Sequence, residues 1–162
     1  MLNDVMYPRQ TVLVSAALPD KANLSAVDYS MPVSEKPPIV AISLHSGSLT
    51  LDIICTSMDF VIAIPTEKMK DAVLLCGTTS GKYIDKFEEA KLTAVKAKKV
   101  SAPLVLEAAA NLECRVLSYN AAGDHTLIIG EVVEAHLPKD DKIEEPLLFN
   151  KGGKKVFGLK LE

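Results

Sequence analysis

The chain has 162 residues, of which 48% are hydrophobic and 24% are charged, and its formal charge is −3. This length suits one domain with its own core, covering residues 1–162. The net negative charge argues against a protein that mainly binds nucleic acid or an anionic membrane surface. The longest apolar stretch, near residues 12–18, is far too short to span a bilayer, so no membrane association is expected.

Three cysteines are scattered along the chain, without a CxxC pair and without a histidine at ligand spacing. This pattern favours reduced thiols in a cytoplasmic protein and predicts no metal site. Hydrolase motifs such as GxSxG and HExxH are absent from the sequence. With no tryptophan and only 4 Phe and 4 Tyr residues, the chain is not expected to stack single-stranded nucleic acid.

Short β-branched runs separated by turn residues predict a mainly β fold. The predicted strands, in chain order, are Thr11–Ala17, Leu24–Tyr29, Ile39–Leu44, Phe60–Ile64, Ala110–Tyr119, Thr126–His136 and Val156–Leu161. The two strands on either side of residues 120–125 should form a hairpin. Residues 39–44 (IVAISL) are almost wholly apolar, so both faces of that strand should be covered. In a small chain this indicates a closed barrel with helices or a second subunit packed outside.

Helical patterns are confined to the middle of the chain. Thr50–Ser57 is rich in apolar residues. Glu67–Cys76 follows a threonine that could serve as N-cap, and this helix should stop at Gly77. Asp85–Ala90 predicts a further short turn of helix. The polar segment Leu137–Pro146, which contains two prolines, is expected to be a surface loop.

The first segment with a chemical signal is residues 23–34 (NLSAVDYSMPVS). Strand alternation would place Ser25, Val27 and Tyr29 on one face. A strand of small and polar residues can lie along a flat heterocycle, because its backbone groups reach the ring edge while its small side chains allow close approach. The alternative is a half-buried strand without a ligand that ends in a proline turn.

The second segment is residues 43–50 (SLHSGSLT), a strand end followed by a turn that opens a helix. Hydroxyl groups and free backbone N–H groups at a helix N-terminus are suited to a phosphate. An ordinary N-cap loop uses the same residue types. The GxxxxGK[ST] pattern of a P-loop is absent.

The third segment is residues 77–87 (GTTSGKYIDKF), a second hydroxyl-rich turn in which Lys82 and Lys86 could neutralise a phosphate. A solvated turn between two helices is the alternative. Among the histidines, His125 at a predicted hairpin tip is the candidate to meet a ligand. His45 lies in the second segment, and His136 is expected to be a plain surface residue.

In this order the segments resemble the flavin reductase-like family with the FMN-binding split barrel, in particular its flavoredoxin-type members. The resemblance covers nearly the whole chain, from about Pro8 to Leu161. The stretches that carry it are NLSAVDYSMPVSEKPPIVAISL, SLTLDIICTSMDFVIAIPT, LLCGTTSGKYIDKF, AANLECRV, GDHTLIIGEV and PLLFNKGGKKVFGL. It implies a mainly β, Greek-key split barrel with a few short helices. It also implies a homodimer with flavin at the interface.

The resemblance implies which residues hold FMN. The strand 26–30 and its continuation would line the isoalloxazine ring, the segment 43–50 would hold the ribityl chain and phosphate, and the turn 79–82 would approach the flavin as well. The implied set is Ala26, Val27, Asp28, Tyr29, Ser30, Val33, Ser34, Ser43, Leu44, His45, Ser48, Thr50, Thr79, Ser80, Gly81, Lys82 and Lys86. The implied catalytic residue is His125, near the open flavin face where a nicotinamide stacks. Many family members have a basic residue in the phosphate loop, where this chain has Gly47 and Leu49.

The function that the resemblance implies is an NAD(P)H:FMN oxidoreductase that passes electrons to flavin or to a protein acceptor. A flavoredoxin-type FMN electron carrier with little NAD(P)H activity, served by a protein donor, is the alternative. A barrel that serves as an interaction module without flavin is a third hypothesis. The dinucleotide motif GxGxxG is absent, so the use of a nicotinamide stays open at this point.

Overall fold

The computed structural model describes residues 5–138, 142–153 and 155–160, and its main feature is a seven-stranded antiparallel sheet. The strands of the chain are β1 (Arg9–Gln10), β2 (Val12–Leu18), β3 (Lys21–Val27), β4 (Ser30–Glu35), β5 (Pro38–His45), β6 (Asp59–Ile64), β7 (Ala94–Val95), β8 (Leu104–Val105), β9 (Ala110–Ala122), β10 (His125–His136), β11 (Leu147–Asn150) and β12 (Val156–Leu159). The helices are α1 (Leu49–Ser57), α2 (Lys70–Thr78), which a 3₁₀ turn (Glu67–Met69) precedes, and α3 (Lys86–Glu89).

The large sheet has the strand order β3-β2-β6-β9-β10-β5-β4, so β3 and β4 are its two edges. Only Asp28 and Tyr29 separate these edge strands in the chain. Each residue of an extended chain spans only about 3.5 Å, so this short connection keeps the end of one edge strand close to the start of the other. The sheet therefore curls into a barrel. Near the junction the Ser43 amide donates to the Tyr29 carbonyl at 2.8 Å. The barrel is therefore split between β3 and the β4–β5 pair.

The barrel interior holds one apolar cluster. Alternate residues of β2, Val12 and Val14, share it with Ile42 of β5 and Phe60 of β6. The buried face of α1, from Leu51 to Ile54, packs against the same cluster. Because α1 starts directly after β5, this packing fixes the turn at residues 46–48 against the barrel.

A second apolar cluster lies on the other side of β2 and β3. Leu13 and Leu24 pack there against Val73 of α2 and Phe87 of α3. Both faces of β2 are therefore covered, and its residues Val12–Ala16 are all buried. This layer places the C-terminal end of α2 and the start of α3 beside the free edge of β3.

The strands and helices predicted from the sequence are confirmed, with shifted boundaries. β3 ends at Val27, so Asp28 and Tyr29 lie beyond the strand. The predicted helix stop at Gly77 is wrong, because α2 continues to Thr78. The edge strand β4 was not predicted because it contains Pro32, which offers no N–H to a ladder. Residues 137, 138 and 142–146 are neither helix nor strand, as predicted, while residues 139–141 and 161 lie outside the described part.

Strand β5 is less covered than predicted. Ile42 and Leu44 are buried in the barrel. On the opposite face Ala41 is buried too, but Ile39 and Ser43 are only half-buried. The mainly β split-barrel fold is confirmed, and one face of the β4–β5–β10 region is partly exposed in the single chain. Among the described residues, no helix is long and apolar enough to cross a membrane.

Candidate functional site

A cavity of about 410 Å³ lies at the split in the barrel. Its walls come from the free edge of β3, the end of β5, the turn before α1 and the end of α2. The three segments predicted from the sequence therefore meet in one place. The predicted residues that line it are Ala26, Val27, Asp28, Tyr29, Ser43, Leu44, His45, Ser48, Thr79, Ser80, Gly81, Lys86 and His125.

The free edge of β3 forms one wall of this cavity. In the described chain β3 pairs with β2 alone, so alternate residues direct their N–H and C=O groups away from the sheet. The Leu24 carbonyl is on that side, since it accepts a hydrogen bond from Lys86. Ala26 stands two residues further along, and its backbone groups therefore face the same edge. They can pair with the polar edge of a flat ligand.

Close packing brings helix α2 onto this wall. A Cβ atom added at Gly77 would lie 3.3 Å from the Cβ of Ala26. The next turn approaches even more closely, because a Cβ added at Gly81 would lie 2.0 Å from the Asn23 Oδ1 atom. A side chain at position 81 would therefore have to displace the Asn23 amide, which glycine avoids.

Thr50, predicted to contact a phosphate, lies behind the cavity wall instead of on its surface. Its side chain is fully buried. Asn23 Nδ2 donates to Thr50 Oγ1 at 3.0 Å, and the Ser25 and Thr50 hydroxyl oxygens are 2.7 Å apart. Thr50 thus holds two side chains that line the cavity. Asn23 and Ser25 were not predicted as site residues, although both lie in the first segment.

Ser48 occupies the N-cap position of α1, but its side chain makes no capping hydrogen bond. Two hydrogen bonds to His45 hold the turn: the Ser48 amide donates to its carbonyl at 2.9 Å, and the Gly47 amide donates to its side-chain Nδ1 at 3.1 Å. Ser48 lines the cavity. A hydroxyl beside the first N–H groups of a helix can bind an anion.

Lys82 bridges the two hydroxyl-rich turns from outside. Its Nζ atom donates to the Gly47 carbonyl at 3.4 Å, and its side chain is exposed. On the same turn the Thr79 hydroxyl donates to the Leu75 carbonyl at 2.7 Å, and the Ser80 hydroxyl accepts from the Lys82 amide at 3.3 Å. Lys82 does not line the cavity, but its charge lies beside the turn that contains Ser48.

Lys86 places a buried ammonium group at the base of the cavity. Its Nζ atom donates to the carbonyls of Leu24 at 2.8 Å and Cys76 at 2.7 Å. Burial lowers the pKa of Lys86 and raises the pKa of the Cys76 thiol to about 11. No carboxylate in the described residues forms an ion pair with Lys86. A buried ammonium held only by carbonyl groups would be stabilised further by an electron-rich ligand in the cavity.

His125 stands at the rim of the cavity, opposite His45 in the β10–β5 ladder. The two imidazole rings are in edge contact with centroids 5.5 Å apart, and the Tyr29 ring lies 5.3 Å from His125. Asp124 Oδ1 is 2.7 Å from His125 Nδ1, and this bond lowers the pKa of the Asp124 carboxyl. The imidazole therefore has a fixed orientation at the mouth of the site.

Ser30, Val33 and Ser34 do not line the cavity in the single chain. They lie on β4, which runs away from the split, and Ser34 pairs with Ile39 of β5. That position is four residues, or about 13 Å, from Ser43 along the strand. Ser30, at the start of β4, lines an adjoining cavity instead, while Val33 and Ser34 line neither cavity. Contact between these three residues and a flavin stays a prediction.

His136 is not the plain surface residue expected from the sequence. Its Nε2 atom lies 2.6 Å from the carboxylate of Glu113, which is fully buried. The amides of Lys98 and Lys99 donate to the same carboxylate. This network fixes the segment after β7 and lies apart from the cavity. In the described part of the chain, no group of three or more His, Cys, Asp or Glu residues could hold a metal ion.

Comparison with known proteins gives consistent results. The model of the flavin reductase like domain matches residues 5–158. An uncharacterized protein of Archaeoglobus fulgidus is 34% identical over 142 residues, which cover 88% of this chain and 78% of that protein. Flavoredoxin from Methanosarcina acetivorans has a TM-score of 0.88 at 23% identity, over 99% of this chain and 89% of that one. The NADH:FAD oxidoreductase SgcE6 of Streptomyces globisporus has a TM-score of 0.84 at 20% identity, over 99% and 92%.

Proposed function

Because the chain belongs to the flavin reductase-like family, we propose that it binds FMN at the split of the barrel and transfers a hydride from NAD(P)H to that flavin. Electrons then pass to free flavin or to a protein acceptor. The observation that carries the proposal is the convergence of β3, two hydroxyl-rich turns and Lys86 on one cavity. Each of these features alone has an ordinary structural explanation.

The cavity fits a flavin mononucleotide in size and chemistry. Its volume of about 410 Å³ lies within the usual range of ligand pockets. The free edge of β3 suits the polar edge of a fused ring, and the close contact of Gly77 with Ala26 holds helix α2 beside that edge. The hydroxyl-rich turn at Ser48, at the N-terminus of α1, suits the terminal phosphate of FMN.

A bound flavin supplies the hydride chemistry, while the protein supplies orientation and electrostatics. The backbone of Ala26 would position the ring edge. Lys86 would place its positive charge near the ring and favour electron-rich forms. Ser48, with Lys82 outside the turn, would bind the phosphate. His125 at the rim would position the nicotinamide.

An electron carrier is the second candidate function. The fold is shared with flavoredoxin from Methanosarcina acetivorans and equally with the oxidoreductase of Streptomyces globisporus. The fold alone therefore supports a carrier as much as it supports an enzyme. The sequence has no GxGxxG motif for a dinucleotide. In this function a protein donor would deliver electrons to the flavin.

The open face of the sheet supports a homodimer as part of the proposal. Met31 of β4 is 61% exposed and Val33 is 50% exposed. Met31 pairs with Ala41, and Leu127 pairs with Ser43, so these four residues share one face across β4, β5 and β10. A second copy packed there would bury apolar surface next to the cavity. A cytoplasmic location is also proposed, since the described cysteines are all free thiols.

Anaerobic mixing of the FMN-loaded protein with NADH or NADPH separates the two functions. We expect rapid bleaching of the flavin absorbance by at least one nicotinamide. Bleaching by dithionite but not by either nicotinamide would support the carrier instead. A colourless preparation that takes up no added FMN would exclude both and would leave the barrel as an interaction module without flavin.

A further inference from the structure

A second cavity, of about 800 Å³, adjoins the flavin site and has a different character. The two cavities share Asp28, Tyr29, Ser43 and His125. A molecule in the second cavity would therefore touch the rim of the first. The rest of the lining is mainly apolar, with Met6, Met31 and Leu127 among its residues, and Arg9 lines it too. Met31 and Leu127 also belong to the face proposed for the second copy, so in a dimer the partner would form a further wall of this cavity.

Arg9 is held between two aromatic rings. Its guanidinium carbon lies 4.5 Å from the centroid of the Tyr7 ring and 4.6 Å from that of Tyr29. The Nε atom donates to the Met6 carbonyl at 2.7 Å. Three contacts thus restrict the side chain before any ligand arrives, and little conformational entropy remains to be lost on binding.

The two terminal nitrogens of Arg9 have no acceptor among the residues that the structure describes. The two carboxylates of the cavity have other partners. Asp28 accepts hydrogen bonds from Thr11 Oγ1 and Asn150 Nδ2, each at 2.6 Å, and Asp124 is paired with His125. The cavity thus contains a positioned cation whose hydrogen-bonding edge is available.

We propose that this second cavity binds the substrate that meets the flavin and that Arg9 recognises an oxyanion, a phosphate or a carboxylate, carried by that substrate. The inference rests on the proposed function. A planar guanidinium pairs with such groups through two parallel hydrogen bonds. The apolar lining requires a ligand that also has an apolar or flat part. Arg9 is therefore a specificity residue, separate from the groups that hold the flavin.

The test compares wild type with Arg9→Gln and Arg9→Lys, using NAD⁺, NADP⁺ and benzoate as probes. FMN affinity is measured first, by quenching of flavin fluorescence. Each probe is then titrated into the FMN-loaded protein, and its binding is followed through the visible flavin spectrum. Arg115→Gln is the matched control, because it removes the same side chain from an exposed site outside both cavities. Gel filtration checks that all variants keep the oligomeric state of wild type.

We expect Arg9→Gln to lower the affinity for at least one probe by about 10-fold or more, because the substitution removes a charge-assisted hydrogen bond. Arg9→Lys should recover only part of that affinity, and FMN affinity should change by less than about twofold. If only the affinity for the dinucleotides falls, the recognised oxyanion is a phosphate. If only the affinity for benzoate falls, it is a carboxylate. Equal probe affinities in Arg9→Gln and wild type, or no probe binding to FMN-loaded wild type, would overturn the inference alone. Failure to bind FMN at all would overturn the proposed function.

Discussion

The Nζ atom of Lys86 lies 2.8 Å from the carbonyl oxygen of Leu24 and donates a hydrogen bond to it. A lysine at the start of α3 thus holds the free edge of β3, two residues before the position at which a ring edge would bind. The same ammonium group is buried and has no carboxylate partner in the described chain. With FMN bound as proposed, its positive charge would act on the ring part of that ligand.

Lys86 and Lys82 should differ in which part of FMN they affect. Lys86→Met should weaken FMN and riboflavin alike, by about 10-fold or more, because it removes a buried charge beside the ring. Lys82→Gln should weaken FMN by up to about fivefold and leave riboflavin unchanged, because an exposed charge acts only on the phosphate and is screened. Fluorescence titration with both flavins measures the difference. A loss confined to FMN in Lys86→Met would place that lysine at the phosphate.

Substitutions of Ser48 and Thr50 should have different effects on FMN affinity and protein stability, although both residues lie in the second segment. Ser48→Ala should weaken FMN by about 10-fold with little change in protein stability, since its hydroxyl makes no capping bond. Thr50→Val should destabilise the fold by about 1–3 kcal/mol, because it removes the partner of the buried Asn23 amide. Urea unfolding and FMN titration together measure both effects. If Thr50→Val lowered FMN affinity as much as Ser48→Ala without destabilising the fold, the position of Thr50 behind the cavity wall would be contradicted.

His125 is expected to act on the nicotinamide more than on the flavin. His125→Ala should slow flavin reduction by NADH or NADPH by about 10-fold or more, and FMN affinity should change less, because the imidazole stands at the rim. Anaerobic stopped-flow spectroscopy measures the rate, and FMN titration supplies the affinity. His136→Ala is the control, as that imidazole lies apart from the cavity. An effect on FMN affinity alone would make His125 a structural residue.

Acid sensitivity should arise in part from Glu113. Burial alone would raise the pKa of this carboxyl, but the hydrogen bonds from Lys98, His136 and Lys99 outweigh it and hold the pKa below 4.5. A lowered pKa in the folded state stabilises the protein above about pH 4.5, and this contribution is lost as the pH falls through the folded value. Urea unfolding between about pH 6 and pH 3 should show a steeper loss of stability in wild type than in Glu113→Gln. Parallel curves for the two proteins would contradict this assignment.

The candidate segments could be predicted because their signals are local. Hydroxyl residues and glycine at a strand end mark the turn at Ser48, and the same composition marks the turn at Gly81. Lys86 was a candidate because its charge follows this turn, but its burial depends on α3 packing beneath β3, which no local pattern records. The role of Thr50 depends on side chains 25 and 27 residues earlier. The pairing of His136 with Glu113 spans 23 residues and likewise has no local signal.

The exposed half of the site was the least predictable. Tyr7 and Arg9 reach the cavities from an N-terminal segment whose sequence has no ligand motif, and their position follows from the pairing of β1 with β11. Because β4 contains a proline, the strand that borders the exposed sheet face was not predicted. Both features depend on contacts between elements that are distant in the sequence.

Each chain is proposed to bind one flavin at the split of the barrel. Equilibrium titration of the purified protein with FMN, followed by flavin fluorescence, measures this binding. We predict saturable binding of one FMN per chain, weakened in both Ser48→Ala and Lys86→Met. Binding that is absent, or that neither substitution changes, would contradict it.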